Sequence, residues 1–243
     1  MDLQLTGKAA LITGGSGGIG SAIASTLLRE GVSVAITTRS PDAVAASRSG
    51  FFVTRGDTSS LDDVHRMVGE VVDAIGDIDI LVNCAATPGY VSPTPALDSV
   101  DFAAAAADLD VKVLGYLRSA QAVAPGMRDR GWGRIISVAG LAARRTGSIV
   151  GSVRNAGVVA LTKNLADELG PYGVNVNAVH PGPTVSAAGV PPNVDAAARI
   201  SIGRCVTADE VADVVAFLAS PRSIAINGEV VPVGGGDRGS IHY

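Results

Sequence analysis

The run Thr13–Gly20, "TGGSGGIG", has the residue types needed to grip a phosphate. Residues with little side chain let a ligand approach the main chain, while amides at the start of a following helix, with the helix dipole, favour an anion. Gly14, Ser16, Gly18 and Ile19 are the positions of that run expected to meet the ligand. Further along, Lys112 and Tyr116 stand four residues apart in a helical pattern, so they share one face and could bring an ammonium and a phenol together. Tyr116 also reads as a helix-packing aromatic. His180 lies just past a strand-like run and could titrate near neutrality, or be structural. Ser137 offers a hydroxyl near the end of another such run, or a plain polar strand end.

Short apolar β-type runs must position these residues. "KAALIT" (8–13), "SVAITT" (33–38), "FFVTR" (51–55), "DILVN" (79–83), "RIISV" (134–138), "NVNAV" (175–179) and "EVVPV" (229–233) read as strands. Residues 18–30, 59–75, 98–130, 151–170 and 207–219 read as helices, and in the last Val211, Val214, Val215 and Leu218 form one stripe. Alternating strands and helices with near-continuous apolar strands predict an α/β protein: three layers, doubly wound, around a mostly parallel seven-stranded sheet. Pro232 places the last strand at an edge. The two long irregular connections, 87–95 and 181–193, both follow strands, where open α/β sheets keep their ligands.

At 243 residues the chain fits one domain, 1–243, with a substrate-loop region near 183–203. A net charge of −4 without a Lys/Arg cluster predicts no nucleic-acid partner. No apolar stretch is long enough to span a bilayer, and "MDLQLTGKAALIT" does not have the form of a signal peptide, so a cytoplasmic protein with no membrane partner is expected. Cys84 and Cys205 lack metal-ligand spacing, and no metal is expected.

The glycine-rich run, placed between the first strand and the first helix, resembles the T-G-x-x-x-G-x-G turn of the short-chain dehydrogenase/reductase family, and the likeness extends over nearly the whole chain. It implies a Rossmann fold binding a nicotinamide dinucleotide. "RGDTSS" resembles the family's segment after the third strand, implying contacts from Asp57 and Thr58 with the adenine. "LVNCAA" stands where the family has N-N-A-G, which brings in Asn83 and Ala85, while Ala86 departs from the glycine. "NAVHPGPT" resembles the stretch flanking the nicotinamide, implying Pro181, Gly182 and Thr184. Thr38 occupies the place where NAD-selective relatives carry Asp, and Arg39 follows it. An acid there would repel a 2′-phosphate, whereas a guanidinium between hydroxyls suits one, so NADP(H) is expected over NAD(H).

The family's chemistry uses an Asn, a Ser, a Tyr and a Lys. "NAGVVALTK" (155–163) resembles its K-A-G run, which puts Asn155 at the Lys position and Gly151 at the Tyr position. "GRIISVAGLA" places the Ser position on Ala139 or Gly140, and "DVKVLG" places Lys112 on the Asn position. The Lys and Asn types are thus exchanged between two helices. The candidates left to act are Lys112, Asn155, Ser137 and Tyr116, with His180, the terminal Tyr243 or water as further proton sources.

Three functions follow from the resemblance. The first is an NADP(H)-dependent oxidoreductase acting on a small carbonyl or alcohol through a non-standard proton relay. The alternative is a catalytically impaired pseudoenzyme, a nucleotide-binding sensor or partner subunit. A non-redox lyase or dehalogenase ranks last, because such relatives retain the Ser and Tyr. The small apolar residues of 183–201 suit an uncharged or lipophilic compound. Helices 98–130 and 151–170 correspond to those through which the family pairs, implying a homodimer or homotetramer.

Overall fold

The structure is a computed structural model that describes residues 1–41, 50–87, 97–185 and 194–239. The strands are β1 (Ala9–Thr13), β2 (Ser33–Thr38), β3 (Phe51–Arg55), β4 (Ile80–Asn83), β5 (Gly133–Val138), β6 (Val174–Pro181), β7 (Thr184–Val185), β8 (Val206–Thr207) and β9 (Val230–Val233). Seven of them form one sheet in the order β3-β2-β1-β4-β5-β6-β9. All its pairings are parallel, one step beyond the mostly parallel sheet expected. Pro232 sits on β9, an edge strand, where a missing N–H breaks no ladder. β7 and β8 pair separately.

Alternating residues fill two cores. Ala10, Ile12, Val34, Ile36, Ile80 and Val82 face helices α1 (Gly18–Arg29) and α7 (Ala208–Ala219). Leu11, Ala35, Leu81, Ile135 and Val176 face α2 (Leu61–Ile75), α4 (Gly115–Asp129) and α5 (Ile149–Leu169). Each large aliphatic side chain buried this way contributes about 1.5–3 kcal/mol. A sheet apolar on both faces can present polar groups to a ligand only at its strand ends. The functional cleft lies at those ends, where the chain leaves β1 toward β2 on one side and β4 on the other.

The helical stretch expected over 98–130 is interrupted. A 3-10 turn (Leu97–Ser99) precedes α3 (Phe102–Leu109), whose first amides, Ala103 and Ala104, donate to Asp101 Oδ1 at 2.9 and 3.1 Å. A π-helical turn, Asp110–Leu114, then joins α3 to α4, with the Gly115 amide reaching back to the Asp110 carbonyl. Such a turn inserts a residue into the register and recurs at functional sites; this one carries Lys112. Gly115 is required just after it, because a Cβ there would stand 2.8 Å from Thr58 Oγ1 and 3.0 Å from the Thr58 carbonyl oxygen. The substrate-loop region contains a short helix, α6 (Val194–Ala198); residues 186–193 of it, and Tyr243, lie outside the described residues. No helix among the described residues is long and apolar enough to cross a membrane.

Gly20 yields a prediction of unusual sign. In an open helix Gly→Ala gains about 1 kcal/mol. Here the new Cβ would lie 2.6 Å from the Gly14 carbonyl oxygen and 3.0 Å from Gly15 Cα, both main-chain atoms. Gly20→Ala should therefore lower stability by roughly 1–3 kcal/mol, read as a lower denaturant midpoint with an unchanged slope.

Candidate active site

The cleft starts from a close approach of two strand ends. Gly14 has φ +67°, and a Cβ on it would fall 2.7 Å from Ala85 Cα. Thr13, buried at the end of β1, accepts hydrogen bonds at its hydroxyl from the Cys84 and Ala85 amides, at 3.2 and 3.4 Å. The chain then turns through Gly15, whose added Cβ would strike Ile36, and enters α1 at Gly18. No side chain caps that helix start, so its first amides are left for a ligand.

The resulting cleft has a volume of about 770 Å³. Of the residues singled out in the sequence, Gly14, Ser16, Gly18, Ile19, Thr38, Arg39, Asp57, Thr58, Ala85 and Thr184 line it. Asn83, Pro181 and Gly182 do not. Asn83 is buried, its Nδ2 donating to the Tyr116 carbonyl at 3.4 Å. Pro181 ends β6, and the Gly182 amide donates to the Val233 carbonyl at 3.1 Å, so these two tie β6 to β9 beside the cleft. Ala86 needs no glycine, since among the described residues Gln4 alone has positive φ without being glycine.

One end of the cleft is polar. Ser16 Oγ donates to Thr38 Oγ1 at 3.1 Å, and the Ser40 amide donates to the same oxygen at 3.3 Å. Arg39 lines both the cleft and an adjoining hollow of about 650 Å³ that also holds Arg55 and Arg66. The acids there are largely committed. Asp57 Oδ1 accepts from the Ser59 hydroxyl and amide, which with the Arg39 charge hold its carboxyl below the usual range despite partial burial. Asp63 accepts from Arg66 and from the Asp57 amide.

Of the catalytic candidates, Lys112, Asn155, Ser137 and Tyr116 do not line the cleft; Lys112 adjoins it through its chain neighbour Val111. Lys112 is 6% exposed, and its Nζ donates to the Ala139 carbonyl at 3.3 Å. Burial, then the charge of Arg154, push its pKa from 10.5 down to about 8, with Cys84 and Asp108 pulling the other way. Cys84 itself is pushed up to about 11 by burial, which keeps the thiol neutral. Asn155 donates from Nδ2 to the Gly151 carbonyl at 2.8 Å. Its Oδ1 is buried without a hydrogen-bond partner and would lie 3.3 Å from a Cβ on Gly140. A donor, Lys112 Nζ, at Ala139 and an orphaned acceptor, Asn155 Oδ1, near Gly140 thus stand at adjacent residues. A hydroxyl needs one of each.

The other candidates point elsewhere. Tyr116 is fully buried, donates to the Val138 carbonyl at 3.1 Å, and has its pKa pushed well up by burial; it packs the core under the site. Ser137 is buried within β5, in register with Asn83 and Ala178. His180 is buried on β6 opposite Pro232. Gly151 has only main-chain groups to offer, and its amide donates to the α5 cap Ser148 at 3.0 Å. The sequence reading passed over Asp108, Arg154 and Thr87. Arg154 Nη1 lies 2.8 Å from both Asp108 oxygens, and Thr87, on the cleft wall, donates to Asp108 Oδ1 at 2.7 Å. The one signal available was spacing, because Asp108 precedes Lys112 by one helical turn. Among the described residues no group of three or more His, Cys, Asp or Glu is placed to hold a metal.

Comparison with known proteins gives consistent results. The sequence profile described as enoyl-(acyl carrier protein) reductase matches residues 14–237. Acetoacetyl-CoA reductase of Allochromatium vinosum is 34% identical over 244 residues, covering 94% of this chain and 98% of that protein. The 3-oxoacyl-(acyl-carrier-protein) reductase of Vibrio cholerae is 32% identical over 253 residues, covering 96% and 98%. Among solved structures, an NAD⁺-bound xylitol dehydrogenase superposes with TM-score 0.88 at 26% identity, covering 96% of this chain and all of that one.

The depressed pKa of Lys112 has a consequence for stability. Between pH 8 and 10.5 the unfolded chain binds the proton that the folded chain has lost, so stability rises with pH across that window. Below pH 8 the full penalty of a buried charge is present. In Lys112→Met, chemical denaturation should show this rise reduced by on the order of 2–3 kcal/mol.

Proposed function

The chain belongs to the short-chain dehydrogenase/reductase family, oxidoreductases of carbonyl and alcohol substrates that use a nicotinamide dinucleotide, and from that premise we propose an NADP(H)-dependent enzyme whose proton donor is Lys112. The observation that carries this reading is the buried pair of groups behind the cleft wall: the Lys112 ammonium on the Ala139 carbonyl, its pKa lowered to about 8, and the unpartnered Asn155 Oδ1 facing Gly140. The residues fit the dinucleotide on their own geometry, since the start of α1 has no side-chain cap and opens on the cleft lined by Gly14, Ser16, Gly18 and Ile19.

Gly14, Ser16, Gly18 and Ile19 hold the diphosphate against the start of α1. Thr38 and Arg39 receive a 2′-phosphate, and position 38 carries no acid to repel it. Asp57 and Thr58 border the adenine. When bound, the dinucleotide supplies or accepts the hydride. In reduction the carbonyl oxygen takes the π electron pair and needs a proton. Lys112 gives that proton from Nζ and recovers one from water; in oxidation it takes the proton as a neutral amine. Gly151 and Ala139, at the positions where the family resemblance puts its Tyr and Ser, have no side chain for either task. A positioned donor is worth ~10²–10⁴ in rate, which is the share assigned to Lys112. Exposed Leu114, Leu117, Ile149 and Val153, on the π turn, α4 and α5, are proposed to meet a second copy of the chain.

Calorimetric titration with NADPH and NADH, followed by a carbonyl and alcohol screen read at the nicotinamide absorbance band, tests this. NADPH should bind at least about tenfold tighter than NADH, and Arg39→Asp should erase the difference, as expected for losing one charge-assisted phosphate contact. Tight NADPH binding with no turnover on any substrate would select the sensor or partner-subunit reading instead.

A further inference from the structure

A 2′-phosphate is close to a dianion near neutrality and has three strong acceptor oxygens, whereas Thr38 and Arg39 offer it one hydroxyl and one cation. The strand ends around Thr38 hold more than that. Thr38 and Arg55 are paired across β2 and β3, so their side chains leave the sheet on the same face. Ile36 and Val53, paired two residues earlier, share that face and pack with Ile23 and Leu27 of α1. Thr38 meets Ser16 there, at the glycine-rich turn. Arg55 therefore rises one strand beyond Thr38, on the side where the turn lies. The Gly56 amide donates to the Thr38 carbonyl at 3.1 Å and ties the two strand ends together.

Arg55 lines the hollow of about 650 Å³, which shares Arg39, Gly56 and Asp57 with the cleft wall. The third arginine of that hollow is already engaged. Arg66 donates to Asp63 from Nε and Nη2 and to Glu70 from Nη1, and its Nη2 also holds the Arg55 carbonyl at 2.8 Å. Arg66 thus fixes the main chain that carries Arg55. Arg39 and Arg55 are exposed, and their guanidinium groups have no hydrogen-bond or ion-pair partner among the described residues. The acids near them are occupied: Asp57 Oδ1 by Ser59, and Asp63 by Arg66 and the Asp57 amide. Asp62 is exposed in the first turn of α2, where the helix dipole offsets its charge. Thr38 Oγ1 accepts from Ser16 and from the Ser40 amide, so its own hydrogen is left to donate. Two guanidinium forks and one hydroxyl hydrogen therefore border one hollow.

We propose that Arg55 is the second cation of this phosphate site: the 2′-phosphate of NADP(H) enters the hollow and is held between the guanidinium groups of Arg39 and Arg55, with the Thr38 hydroxyl as a neutral donor. This rests on the NADP(H) reading above and adds to it a specificity-determining residue on β3, outside the β2 end from which that preference was read. With both arginines in place the two charges of the phosphate meet two cations, and each fork can give it two parallel hydrogen bonds.

The test is calorimetric titration of the full chain and its variants with NADPH and NADH, and with adenosine 2′,5′-bisphosphate against adenosine 5′-monophosphate. Arg55→Gln should weaken NADPH binding roughly tenfold or more, as expected for losing a charge-assisted contact. NADH, which has no 2′-phosphate, should bind as before. The bisphosphate should lose affinity by the same factor as NADPH, and the monophosphate should not. Arg55→Lys should recover part of the loss, because it keeps the charge without the fork. Added salt should weaken NADPH binding less in Arg55→Gln than in the unaltered chain. If Arg55→Gln lowers NADPH and NADH affinity equally, or leaves NADPH affinity unchanged in a chain that prefers it, the inference is overturned. An unaltered chain that binds NADPH no tighter than NADH overturns the NADP(H) reading and the inference with it. The first failure is read on the variant and the second on the unaltered chain, so the two are told apart.

Discussion

The main-chain contact between Gly14 and Ala85 is the constraint on which the rest of the site depends. It brings the ends of β1 and β4 closer than any side chain at position 14 allows. The Thr13 hydroxyl closes the same junction by accepting two amides from the β4 side. Once these strand ends are fixed, α1 has to begin where its amides face the gap, and Gly20 has to pass beneath Gly14. A cleft suited to a diphosphate follows from packing the sheet. The anion-binding character is therefore carried by the backbone, and substitutions elsewhere in the site can leave it intact.

The region behind the cleft wall is governed by buried charge. A lysine in water carries its proton far above neutrality; Lys112 is brought near pH 8 because burial removes its hydration and Arg154 repels it. The π turn between α3 and α4 gives the local geometry, placing Lys112 against the Ala139 carbonyl while Tyr116, on α4, reaches the neighbouring Val138 carbonyl. Two residues of similar reach thus do different work. Tyr116 fills the core with its hydroxyl satisfied, whereas Lys112 retains donors beyond the one bond it makes.

Much of the architecture was legible because a parallel sheet buried on both faces writes itself as apolar runs, and all seven strands of the main sheet fall within two residues of the expected spans. The glycine turn was legible because its spacing is dictated by main-chain contacts. Less of the site was. The π turn leaves no periodic signature, since one extra residue in a helix reads as ordinary drift in the apolar pattern. The inward course of Tyr116 depends on the β5 carbonyls it meets, which spacing along one helix cannot reveal. Asn83, Pro181 and Gly182 were named from family likeness, and they brace strands beside the cleft without lining it. The Asp108–Arg154 pair joins residues 46 positions apart and could be found only with α3 and α5 side by side.

The claim that proton transfer has passed to Lys112 is tested most directly by single-turnover reduction of a carbonyl substrate in NADPH-loaded protein, followed across pH. The rate should fall as pH rises through about 8, where the ammonium is lost, and Lys112→Met should lower it by ~10²–10⁴ and flatten the profile. A Lys112→Met protein that binds NADPH and reduces the substrate as fast as the unaltered chain would contradict the account.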